Sequence, residues 1–183
     1  DEIVSKLICL RKINKEDIST FLNPTIKNIL PNPNILKDMD KSVQRVGNAV
    51  ISKKKIGIFG DYDVDGASSI AILGSYFKSI NQEYEFYVPD REKEGYGPSI
   101  KGFDALIKLK VDLILTVDCG TLAFGPIKYL KEKKVDAIIL DHHQSDIKLP
   151  DAYSIINPNR YDDKSNLNYL CAAGVCFMTL ISL

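Results

Sequence analysis

Three short clusters hold most of the residues able to do chemistry. They are Gly60-Asp61-Tyr62-Asp63-Val64-Asp65-Gly66, Asp118-Cys119-Gly120-Thr121 and Asp141-His142-His143. Together they bring five carboxylates and both histidines of the chain. Crowded carboxylates repel one another and take up protons unless cations neutralise them. Oxygen donors supplemented by imidazole suit Mn²⁺ or Mg²⁺ better than a thiolate-preferring zinc. Two such ions about 3.5–4 Å apart would acidify a water and stabilise the attacking and leaving oxygens of a phosphoryl transfer. Taken singly, each cluster has a plainer explanation. The D-x-D-x-D-G run also suits a solvated turn or a calcium loop, although it lacks the distant glutamate of an EF-hand. Asp118 alone suits a helix cap, and a His-His pair alone suits an exposed surface.

The elements around the clusters are what favour a common site. Short β-branched runs alternate with helix-length amphipathic segments from Lys55 onward, the pattern of a parallel α/β sheet. Strands are expected at 55–59, 85–88, 113–117, 137–140 and 154–156. Helices are expected at 67–79, with Ile70, Leu73 and Phe77 on one face, and at 99–108, 124–134 and 171–183. Each cluster then lies just past the carboxyl end of a strand, the edge where open α/β sheets place their ligand crevice. Gly66 opens a helix whose free N–H groups would receive a phosphate, and Gly120 lets backbone approach a ligand. Before Lys55, Asn14 caps a helix to about Leu22, and a Pro/Asn stretch follows from Asn23 to Asn34. A helix over 37–52 then stacks Met39, Val43, Val46 and Val50 in one apolar stripe. The expected organisation is a helical N-terminal arm, 1–54, packed on an α/β domain, 55–183. That domain is a doubly wound, mainly parallel five-stranded sheet with flanking helices.

With 183 residues and 45% hydrophobic content, the chain can bury one substantial core. No apolar run is long enough for a transmembrane helix, and no signal peptide is visible, so a cytoplasmic protein is expected. The four cysteines, at 9, 119, 171 and 176, make no zinc spacing and are expected to be reduced. Lys+Arg and Asp+Glu both total 24, so net charge lends no support to a nucleic-acid partner.

The clusters resemble the first three motifs of the DHH phosphoesterases. More narrowly, they are similar to those of the RecJ-type single-stranded-DNA exonucleases. The stretches Phe21-Leu22-Asn23-Pro24 leading to Lys37 through Lys41, Pro89 through Gly97, and Leu170 through Val175 resemble the same group. The resemblance implies a 5′-to-3′ single-stranded-DNA exonuclease of DNA repair and recombination, using two Mn²⁺ or Mg²⁺ ions. Position by position it implies that Asp63, Asp65, Asp118 and His142 are metal ligands, with Asp118 bridging. Asp61 would be a ligand or support one, and His143 would act on the scissile phosphate. Arg91, Tyr96 and Gly97 would lie on the substrate side together with Gly66. Phe59 stands where some relatives offer a histidine. Single-stranded DNA is the implied partner, with a single-strand-binding protein or a helicase beside it. The family's fourth motif and second domain would follow Leu183, so the isolated chain is expected to bind metal weakly and to be inactive. Two other functions are weighed: a small phosphodiesterase acting on oligoribonucleotides or cyclic dinucleotides, and a non-catalytic replication scaffold. The N-terminal Pro/Asn stretch and the Glu94-Gly95-Tyr96-Gly97 turn argue against the first. The intact acidic positions argue against the second.

Overall fold

In the computed structural model, which describes residues 1–183, five short strands form one sheet, and all of its pairings are parallel. They are β1 (Ile56–Gly60), β2 (Tyr84–Tyr87), β3 (Leu113–Val117), β4 (Asp136–Leu140) and β5 (Ser154–Ile156), in the order β2-β1-β3-β4-β5. The helices are α1 (Glu2–Leu10), α2 (Ile18–Leu22), α3 (Ile26–Ile29), α4 (Met39–Ile51), α5 (Val64–Ser79), α6 (Arg91–Glu94), α7 (Ile100–Lys108), α8 (Phe124–Glu132) and α9 (Ala172–Ser182). The chain forms two compact units, 1–32 and 33–183. The first holds α1 to α3. The second holds the sheet, and α4 belongs to it. No helix is long and apolar enough to cross a membrane.

The strands sit in the sheet because both of their faces can be buried. Every residue of β1 and β3 is buried, as the apolar runs Ile56-Gly57-Ile58-Phe59 and Leu113-Ile114-Leu115 require of central parallel strands. Alternation then divides the side chains between two cores. Ile56, Ile58, Leu113, Leu115, Val117, Ile138 and Leu140 pack with Met39 and Val46 of α4, Leu73 and Phe77 of α5, and Val175 and Met178 of α9. On the other face, Phe59, Ile114 and Ile139 pack with Phe103 and Leu106 of α7 and Ile127 and Leu130 of α8. Fully burying one such side chain contributes roughly 1.5–3 kcal/mol.

Local chemistry sets the helix starts. Asp63 accepts from the Gly66 N–H at 2.9 Å and so caps α5, which begins at Val64, three residues earlier than the apolar pattern indicates. Ser99 caps α7 through the Gly102 N–H at 3.1 Å. Asp90 caps the single turn of α6. In α4 the buried stripe is Met39, Ser42, Val46 and Ala49, with Val43 and Val50 only half-buried at its margin. The start of α4 is tied to β5 by the buried Arg160, which donates to Asp38 Oδ2 at 2.8 Å and to the Ile155 carbonyl.

The order of the strands locates the crevice. The chain runs from β1 outward to β2 and then returns past β1 to β3, so the topological switch lies between β1 and β3. The loops after these two strands diverge and leave a gap at the carboxyl edge.

Candidate metal centre

Asp61 follows β1 and Asp118 follows β3, one on each side of that gap. Oxygen atoms of Asp61, Asp63 and Asp118 lie within 4.8 Å of one another, and so do side-chain atoms of Asp118, His142 and His143. Asp118 is common to both groups. Its backbone has φ 58°, a left-handed conformation that aspartate tolerates better than most residues, and its N–H donates to the Leu140 carbonyl at 3.0 Å. Its side chain is buried, yet neither carboxylate oxygen accepts a hydrogen bond, and Asp61 Oδ1 is also unpaired. Such orphaned oxygens are costly unless something positive meets them.

Electrostatics follow from that geometry. Burial, then the neighbouring carboxylates of Asp63 and Asp65, push the Asp118 carboxyl from its ordinary 3.8 up to about 8. Burial also raises Asp61. Asp63 moves the other way, chiefly because the Gly66 N–H favours its charged form. These residues fit a cation: the donors are oxygen and imidazole, two of the carboxylates have unpaired oxygens, and Cys119 beside them is held as a neutral thiol by burial.

His142 presents Nε2 at 3.3 Å from Asp118 Oδ1 and 3.5 Å from Asp65 Oδ2. Asp65 is itself held by the N-terminus of α9: its two oxygens accept from the Ala172 and Ala173 N–H groups at 2.7 and 2.8 Å. The Leu170 through Val175 stretch therefore positions a carboxylate at the crevice. His143 has both ring nitrogens engaged. Nδ1 faces Asp141 Oδ1 at 2.8 Å, and Nε2 faces the Tyr96 hydroxyl at 3.0 Å. The hydrogen bond that His143 Nδ1 donates to Asp141 raises the imidazole above its ordinary value.

Asp141 stands at the same sheet edge as Asp118 but has a different surrounding. Its Oδ1 accepts from the His142 N–H at 2.7 Å and the His143 N–H at 3.2 Å, and its Oδ2 accepts from the Thr121 N–H at 3.0 Å. Burial opposes its charge, but the bonds from His143 and Thr121 prevail and hold the carboxyl at about 2. It organises the two turns and has no orphaned oxygen.

The remaining sequence candidates divide. Tyr96 reaches the cluster through His143 and also donates to the Asp118 carbonyl at 3.4 Å. Gly97 lines a cleft of about 420 Å³ with Tyr96, Leu122, Phe124 and His143. Arg91 does not join the cluster; its guanidinium lies over the Tyr62 ring at 5.3 Å, near enough to lower Asp61 slightly. The Gly66 N–H, expected to face a phosphate, is taken by Asp63. What demands glycine at position 66 is the Asp61 carbonyl oxygen, into which a Cβ would run. Gly120, at φ 115°, sits where a Cβ would meet Thr116 Oγ1 at 2.6 Å. Phe59 is no vacant ligand position, because its ring packs in the core on Tyr87 and Phe103. All four cysteines are free. Asn157 and Asn159, which hold the two histidine carbonyls, were not singled out from the sequence. Asn157 follows β5 at the same sheet edge, so the rule that selects Asp118 would have selected it too.

A pH dependence follows. Between about pH 4 and pH 8 the cation-free fold holds a proton on Asp118 that the unfolded chain has released. Its stability therefore falls as pH rises through that interval. A cation must displace this proton, so Mn²⁺ affinity should climb with pH by up to about tenfold per unit and level off above about 8. Calorimetric Mn²⁺ titrations at pH 6.5 and 8.5 measure this; equal affinities would remove Asp118 from the ligand set.

The chain is similar to known proteins over most of its length. A family model described as "DHH family, N-terminal domain" matches residues 55–181. The single-stranded-DNA-specific exonuclease RecJ of Bacillus subtilis (strain 168) is 36% identical over 142 residues, which are 78% of this chain and 18% of that protein. The enzyme of the same name from Haemophilus influenzae is 34% identical over 162 residues, covering 88% of this chain and 28% of that protein. A crystal structure of exonuclease RecJ bound to manganese matches with TM-score 0.73 and 30% identity, over 81% of this chain and 37% of that one. The chain thus spans between 18% and 37% of the length of these proteins.

Proposed function

The chain belongs to the DHH family, and from that premise we propose that the protein carrying it is a 5′-to-3′ exonuclease of single-stranded DNA. It would use two Mn²⁺ or Mg²⁺ ions and act in cytoplasmic DNA repair and recombination, alongside a single-strand-binding protein or a helicase. The observation that carries the proposal is the shared position of Asp118, which belongs to both groups of side chains that could hold a cation while neither of its oxygens is hydrogen-bonded.

Asp61, Asp63, Asp65, Asp118 and His142 would hold the cations. When bound, the cations supply an acidified water and neutralise charge on the phosphodiester. The protein's own groups do the rest. The α9 amides keep Asp65 aimed, and Asp141 keeps the two histidine amides and the His143 ring in place. Because the Asp141 carboxylate only accepts, His143 Nδ1 carries the proton between them. A second proton on Nε2 makes the ring a cation facing the Tyr96 hydroxyl, ready to meet charge developing on a phosphate oxygen. Arg91 offers a planar fork for a neighbouring phosphate, and the Gly97 cleft leaves room beside His143.

The test is digestion of 5′- and 3′-labelled single-stranded oligonucleotides with Mn²⁺ by the natural full-length protein. The expected product is mononucleotides with a 5′-phosphate, released from the 5′ end. Preference for cyclic dinucleotides or short oligoribonucleotides would reject the proposal. In the same assay His143→Ala should lower kcat by about 10²- to 10³-fold with Mn²⁺ affinity within a few-fold of normal. An equal loss of Mn²⁺ binding would make His143 a ligand instead.

A further inference from the structure

Asn157 stands just past β5 and has no exposed surface. Its carboxamide is used by three partners. Nδ2 donates to the Thr121 hydroxyl oxygen at 2.8 Å and to the His143 backbone carbonyl at 2.9 Å, while Oδ1 accepts from the Asn159 N–H at 2.8 Å. Thr121 passes the connection on to Asp141 Oδ2 through its own N–H. Two residues later, the Asn159 carboxamide donates to the His142 carbonyl. The turn after β5 therefore grips the carbonyls of both histidines and ties them to the turn that carries Asp118.

An apolar side chain would fill this space without burying a polar group. A carboxamide met by three fixed partners has one orientation, and it transmits that orientation to the loops it joins. Neither Asn157 nor Asn159 forms a hydrogen bond to any of the acidic side chains, so their influence runs through the histidine backbone and the Thr121 hydroxyl. His142 must bring Nε2 between Asp65 and Asp118, and the position of its ring is set by the backbone that Asn159 and Asn157 hold.

We propose that Asn157 is a positioning residue for the phosphodiesterase reaction, fixing the His142–His143 backbone against the Asp118–Thr121 turn so that imidazole and carboxylates meet in register. This rests on the assignment of the cluster as the metal centre. Groups that orient metal ligands from behind typically change metal affinity or activity by about 10- to 100-fold when removed.

The experiment uses the natural full-length protein with Asn157→Ala, Asn159→Ala and a control, Ser42→Ala. Ser42 lies at the opposite end of β5, where its buried hydroxyl donates to the Asp38 carbonyl and pairs with Ser154 at 2.7 Å. Thermal unfolding, calorimetric Mn²⁺ titration and the kcat–KM split on single-stranded DNA are read for each. Asn157→Ala should weaken Mn²⁺ binding and lower kcat, each by about 10- to 100-fold, with KM for DNA within threefold of normal. Ser42→Ala should lower the unfolding temperature but leave Mn²⁺ affinity and kcat within threefold. An Asn157→Ala protein with normal Mn²⁺ affinity and kcat overturns the proposal, as does a Ser42→Ala protein that loses both equally. Should Asn157→Ala fail to fold, the less buried Asn159→Ala decides: about tenfold weaker Mn²⁺ binding supports the positioning role, and unchanged binding overturns it. If the wild-type protein cuts no DNA, the nuclease proposal fails by itself, and the Mn²⁺ titrations still decide this one.

Discussion

Asp118→Asn is expected to lower DNA hydrolysis by about 10³-fold or more while making the cation-free protein more stable. Activity falls because this carboxylate is common to both groups of side chains that could hold a cation, and an amide carries no charge with which to hold one. Stability rises because the native side chain is buried, its oxygens are unpaired and two acidic neighbours repel it. At pH 8.5, where the native carboxyl is largely ionised, the neutral replacement should gain on the order of 2 kcal/mol. Thermal unfolding in EDTA, followed by circular dichroism, measures this gain beside the nuclease assay. A less stable Asp118→Asn protein would mean that Asp118 has a structural partner, contrary to its unpaired oxygens.

Asp141→Ala should do the reverse to stability although it also removes an aspartate from the same edge. Three backbone N–H groups and the His143 ring lose their acceptor in a buried place. Breaking such a buried network costs about 3–5 kcal/mol. For a chain of this size that lowers the unfolding temperature by roughly 10 °C. Because the folded Asp141 carboxyl lies at about 2, below its ordinary 3.8, the stability it contributes is present above pH 4 and lost as pH falls toward 2. Acid unfolding of the wild type should show this loss, and Asp141→Ala should not. Hydrolysis falls by about 10²-fold as well, through misaligned histidines rather than a lost ligand. The paired experiment separates two like residues: one destabilises the empty fold and the other holds it together. A stability change of the same sign in both variants would contradict that division of roles.

The central strands were legible because Lys55 through Phe59 and Leu113 through Val117 read as apolar runs that only a sheet covered on both faces can bury. Once strands are placed, their carboxyl ends follow, and so does the meeting of Asp61 with Asp118 across the switch point and of Asp118 with His142 beside it. The difference between Asp118 and Asp141 was not legible. Both follow a buried strand, and what distinguishes them are amides from Thr121, His142 and His143, which only the folded turns bring near. Asn157 follows its strand as Asp118 does, but a carboxamide carries neither the charge nor the basicity that marks the three clusters as chemistry. The task of Asp65 depends on α9, which begins more than a hundred residues later. Helices α1, α3 and α6 escaped for a local reason: α3 and α6 are one turn each, and the capping aspartates Asp1 and Asp90 were not read as helix starts. The demand on Phe59 is aromatic packing against Phe103 of α7, which the sequence around it does not announce.

The central claim is that Asp118 joins two cation positions, and electron paramagnetic resonance of Mn²⁺ bound to the natural full-length protein at pH 8.5 tests it most directly. The wild type should take up two Mn²⁺ per chain and show the signal of a spin-coupled pair, and Asp118→Asn should show only isolated, weakly bound Mn²⁺. A coupled pair that survives Asp118→Asn unchanged, or a wild type that never shows one, would contradict the account.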